Sequence, residues 1–211
     1  MTDDRMSGLA LIAGSAGMII TMAFHPRGPV GPGEVDSVVR NLIAVHSLAL
    51  ASLPVLFLGT WGLSRRLAAA DRLAMAALVL YACASVVVMN AAVFDGLVAP
   101  NLIRKIVAAT AETREGWRML FNYNFQLNQA FARLYAVASS LAMVLWSAAI
   151  LRGGALNRGL GIYGLVLGPT TVVGVFSGRL NPDVHGFGLI ILAQALWFVV
   201  AGMLLCRTRD A

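Results

Sequence analysis

Charge is what this sequence has least of. Asp, Glu, Lys and Arg make up 12% of the 211 residues, where an ordinary soluble domain carries about 25%, and 59% are hydrophobic. A soluble domain must cover its core with polar surface. With so few polar residues the outer surface has to face hydrocarbon instead, and the mean hydropathy of +0.78 agrees. Cysteine is nearly absent: Cys83 and Cys206 are the only two, and neither belongs to a CxxC. Thiol redox relays and cysteine-ligated zinc thereby lose most of their support. Lysine occurs once, at Lys105, among sixteen basic residues, a bias that points to a GC-rich bacterial genome. The formal net charge of +6 is scattered between the apolar runs, so no basic block exists to bind nucleic acid. Walker, GxSxG and HExxH motifs are also missing.

What the chain does have is apolar runs, long enough to cross about 30 Å of hydrocarbon at about 1.5 Å per residue. They fall near residues 7–24, 41–63, 73–98, 130–151, 160–176 and 186–206. Asp3 and Asp4 oppose the positive start of a signal peptide, so the first run reads as a retained span. The expected fold is all-α, a polytopic transmembrane bundle of six spans forming a single domain over 1–211. The stretch from His25 to Glu34, dense in Pro and Gly, reads as a loop. The stretch from Pro100 to Gln129 is too polar to span and too apolar to be disordered, which predicts an amphipathic interfacial helix before span four. Small residues four apart, such as Ala10 and Gly14, Ala13 and Gly17, Gly164 and Gly168, and Gly174 and Gly178, predict close helix packing, within the chain or in a homo-oligomer. The even loops and termini hold eight basic residues and the odd loops seven, four of the seven in one long segment that weighs little in orientation. Both termini are therefore expected on the cytoplasmic side of the inner membrane.

Alternating spans bring the polar residues to one end. His25 closes the first span, His46 lies about 8 Å inside the second, Asp95 ends the third, and His185 opens the sixth. Val45-His46-Ser47 and Val184-His185-Gly186 suggest a duplicated hairpin. Asn122, Gln126, Gln129 and Arg133 recur at i, i+4, i+7 and i+11, one helical stripe that Asn124 and Asn128 widen. Polar groups at membrane depth are costly and turn inward to partners. An ion pair between Arg133 and Asp95, with Asn90 one turn deeper, is the expected core of a pocket for a membrane lipid or other amphiphile.

Several chemistries suit these residues. Asp95 and His46 as an acid and base pair are the candidate catalytic residues, with Asn90, Asn122, Gln126, Gln129, Arg133 and His185 binding an amphiphilic or isoprenoid-like substrate. The same groups suit a proton-coupled solute transporter or a scaffold without turnover. No cofactor is required by any motif. His25, His46 and His185 with Asp95 would be competent zinc ligands, and two histidines on facing helices could ligate haem. Met18, Met22 and His25 share a helical face that invites a copper reading, but core packing is the ordinary account of such a stripe. The segments Phe24-His25-Pro26, Asp95 to Pro100 and His185-Gly186 give the whole chain a resemblance to bacterial six-helix inner-membrane proteins. The resemblance implies the helical fold and the membrane location, and carries no activity or catalytic residue.

Overall fold

The computed structural model describes residues 3–26, 33–154 and 156–207. Among them every regular element is helical: α1 (Asp3–Ala23), α2 (Val35–Ala68), α3 (Leu73–Val93), a π-helical segment (Phe94–Val98), α4 (Ala99–Ala108), α5 (Ala111–Gly153), α6 (Arg158–Phe176) and α7 (Val184–Arg207). Six helices are long and apolar enough to cross a membrane, with α3, the π segment and α4 counting as one continuous rod. The centre of the expected first connection, residues 27–32, lies outside the described residues, as does the tail with Arg209.

The helices run longer than the apolar runs that announce them. Helix α5 has 43 residues, roughly 64 Å, about twice the hydrocarbon thickness. The residues expected in a separate interfacial helix are divided between α4 and the first turns of α5, which continue into the fourth span without a break. Lys105 Nζ sits 4.3 Å above the Trp117 ring and ties these two pieces together.

Around the bundle, α1 packs between α2 and α7, and α5 between α3 and α6. The small residues make these contacts close. A Cβ at Gly14 would strike the Leu56 backbone, one at Gly17 the Ser52 side chain, and ones at Gly164 and Gly168 would meet Ser147 and the Ser140 carbonyl. These glycines are thus occupied within one chain. The centre is aromatic: Trp146 stacks on Trp197 at 6.0 Å, and Tyr81 and Phe198 pack on them edge-on or tilted. Pro54 in α2 and Pro169 in α6 each remove one helical hydrogen bond, which the surrounding helices tolerate.

The chain direction gives the bundle two chemically different ends. Asp4, Arg66, Asp71 and Arg152 gather at one; His25, His46, Asp95 and the start of α7 gather at the other.

Candidate functional site

Local irregularity positions the site. Pro100 has no N–H, and its ring crowds the carbonyl one turn earlier, so the helix widens just upstream. The widened turn is the π segment, whose Phe94 carbonyl accepts from the Ala99 N–H five residues on and from Asn124 Nδ2 at 3.1 Å. Such turns re-aim side chains and recur at functional sites. Here the turn aims Asp95 across the bundle. Gly96 follows it because its backbone lies against the His46 ring, and any Cβ there would collide with that side chain.

Asp95 Oδ2 lies 3.1 Å from His25 Nε2 and 3.3 Å from His46 Nε2. The two rings meet edge-on with centroids 5.1 Å apart. Each Nδ1 faces a backbone carbonyl, His46 that of Leu42 at 2.8 Å and His25 that of Pro26 at 3.0 Å. A carbonyl only accepts, so each Nδ1 carries the proton and each Nε2 of a neutral ring turns a lone pair towards the carboxylate. Three acceptors then converge, an arrangement that requires a cation between them, either shared protons or a metal ion. Two donor atoms on one tetrahedral zinc, each about 2.0–2.1 Å from it, stand about 3.3 Å apart. His25, His46 and Asp95 offer ligand atoms that all lie within 4.8 Å of one another, and the group could hold a metal ion. Neighbouring contacts hold it in place: Thr21 Oγ1 donates to the Gly17 and Val45 carbonyls across α1 and α2, and Asn41 Nδ2 to the Phe24 carbonyl.

The group opens on a cavity of about 80 Å³. Met18, Met22, Ala49, Val88, Ala92 and Phe187 give it apolar walls; Thr21, Asn128, Gln129 and Asp183 add polar ones. The Asp95 side chain is 25% exposed, against 10% for His25 and 8% for His46, so the carboxylate is reachable from outside. Pockets for drug-sized molecules run to about 300–1,000 Å³. This one takes an ion with a few waters or a small polar group, and it is too small for a haem macrocycle.

Of the residues singled out in the sequence, Met18, Met22, His25, His46, Asp95, Asn128 and Gln129 come together here. The others do not. Arg133 forms no ion pair with Asp95 among the described residues, because Asn122, Gln126 and Arg133 lie with Ala130 and Leu134 on the exposed stripe of α5. The inward stripe runs instead through Asn124, Asn128, Ala132 and Tyr135. The two polar stripes lie on opposite sides of one helix, and sequence spacing alone does not choose between them. His185 shares the outward stripe of Leu189, Leu192 and Leu196 and borders a separate groove, so it leaves the histidine set and has no equivalence with His46. Asn90 is exposed and donates to the Val86 carbonyl of its own helix. Sequence reasoning passed over Gly96, Thr21 and Phe187; Gly96 next to Asp95 and four residues before Pro100 was the available signal for a bent, closely approached helix.

A bundle of six helices, each long and apolar enough to cross a membrane, with a histidine and aspartate cluster at one end, is the class that this geometry defines. Comparisons of the chain with protein-family models, with curated proteins and with solved structures give no match.

Proposed function

We propose that this is a membrane-embedded metalloprotein in which His25, His46 and Asp95 hold a divalent transition ion. Zinc suits nitrogen and oxygen donors at this spacing best. One observation carries the reading: both imidazoles donate Nδ1–H to backbone carbonyls and turn Nε2 towards one carboxylate oxygen, the orientation that metal-ligating histidines take. When bound, such an ion supplies Lewis acidity to a small oxygen-bearing group beside it. The chain contributes the rest. Asn128 and Gln129 offer amides that orient that group, and the methionine, alanine and phenylalanine walls exclude bulk water. Asp95 and His46 act by holding the ion, in place of a free acid and base pair. An amphiphile from the membrane places only its polar end here, since the cavity has no room for an isoprenoid body.

A metal-free second reading is favoured by the two contact distances, 3.1 and 3.3 Å, which are also those of shared protons. In it the triad passes protons, as a proton-coupled transporter requires. Metal content separates the two. Protein purified in mild detergent and equilibrated with zinc should retain a single ion per chain, His46→Ala and Asp95→Asn should retain none, and His185→Ala should retain it fully. Wild-type protein that retains no zinc, iron or copper, and melts at the same temperature with and without a chelator, overturns the metal reading.

The same proposal places α4 and the first turns of α5 at the membrane interface, with both termini on the cytoplasmic side of a bacterial inner membrane. The arginines at 65, 66, 72, 152 and 158, all at the end opposite the cavity, support that orientation. Accessibility tags after Arg66 and after Arg158 should report the cytoplasm.

A further inference from the structure

Below the histidine and aspartate cavity lies a second, small space of about 10 Å³, bordered by Ser15, Tyr135, Gln194, Leu56 and Phe198. Met18 forms a wall of both spaces. Ser15 and Gln194 are buried, and neither Ser15 Oγ nor Gln194 Oε1 has a hydrogen-bond partner. The amide orientation of Gln194 is fixed from its other side, where Nε2 donates to Ser139 Oγ at 2.9 Å and Ser140 Oγ at 3.1 Å. Its oxygen therefore faces away from those serines. Native interiors seldom leave such atoms unpaired, and a polar space of roughly 10–15 Å³ with two to four partners is what one water requires.

We infer that Ser15 and Gln194 bind a resident water in this space, behind the Met18 wall of the cavity. This holds whether the triad binds a metal or shares protons, because none of its members touches the inner water.

The test reads the sign of a stability change. If the space were dry, the Ser15 hydroxyl would be an unpaired burden, and Ser15→Ala would leave the melting temperature unchanged or raise it. With the water present, Ser15→Ala should lower the melting temperature of the full chain in lipid nanodiscs by about 2–4 °C. Gln194→Met should lower it too, and the double variant should lose less than the sum, since both singles release the same water. Density for one ordered solvent atom between Ser15 and Gln194 is the matching structural result. An unchanged or raised melting temperature for Ser15→Ala, or strict additivity in the cycle, overturns the inference. Retained zinc in Ser15→Ala is expected, so the result stands apart from the metal reading.

Discussion

The two ends of the bundle neutralise their aspartates in different ways. At the arginine end, Asp4 meets Arg66 at 3.0 Å and Asp71 meets Arg152 at 3.5 Å, with the arginine side chains 43% and 70% exposed. Arginine is always charged, so these carboxylates are matched permanently and nothing further is required of solvent. At the other end Asp95, among the described residues, pairs only with imidazoles, which are charged only when a proton or an ion arrives from outside. The backbone differs in the same sense. The arginine end finishes in regular helix, whereas the Asp95 end carries a π turn and a glycine pressed against a ring. One end is built to hold itself together; the other is built to receive something.

The largest expected effect tests that contrast directly. Asp95→Ala should weaken zinc binding by more than about a hundredfold, since loss of a residue that merely supports a ligand already costs about 10–100-fold. Asp4→Ala at the opposite end should leave zinc binding unchanged. Isothermal titration of both variants decides it: equal losses would mean that the difference between the ends is only apparent. Next comes Gly96→Ala, which adds one methyl where the His46 side chain already sits. Overpacking of this kind costs about 1–3 kcal/mol, and because the displaced group is a ligand, zinc affinity should fall along with thermal stability. Gly116 in α5 has open space around it, so Gly116→Ala should be neutral or raise stability by up to about 1 kcal/mol. If both alanines behaved alike in thermal melts, the close approach at Gly96 would not matter.

These residues also mark how far the sequence was legible. Apolar runs and the scarcity of charge announced six membrane-length helices, because hydrocarbon demands both and little else produces them. Bringing His25, His46 and Asp95 to one end followed from alternating helix direction. Rotation about each helix axis did not follow. The amides of α5 occupy two faces, and only packing on α3 and the bond from Asn124 to the Phe94 carbonyl select the inward one. Helix ends were equally hard to read, since α2 and α5 continue past their apolar runs into residues that solvent tolerates. The π turn left only Gly96 and Pro100 as its trace, and such a pair usually marks a helix end instead of a widened turn.

A smaller effect belongs to the arginine end. Arg66→Ala removes one partner of an ion pair that water screens, so stability should drop by less than about 1 kcal/mol, and the drop should shrink further in high salt. A loss that salt does not reduce would show that this pair is buried in the membrane-bound protein, and the two ends would then differ less than their exposures indicate.

The smallest expected effect concerns Arg133, the cation that sequence spacing had offered to Asp95. It follows Ala132, which lines the cavity, yet it is turned about 100° further round α5 and is exposed, as are Ala130 and Leu134. An arginine so placed extends along the helix and carries its guanidinium to the water interface, with its methylenes against apolar surface. Among the described residues it has no carboxylate to neutralise, and Asp95 loses nothing when it is removed. Arg133→Gln should therefore leave zinc content unchanged, and in a double cycle with Asp95→Ala the two stability changes should add to within about 0.3–0.5 kcal/mol. Had the pair met in the membrane, each single variant would strand an uncompensated charge, and the double would cost much less than the sum. Such coupling would place Asp95 under a permanent positive charge, make its end of the bundle resemble the arginine end, and remove the reason to expect a metal ion between the histidines.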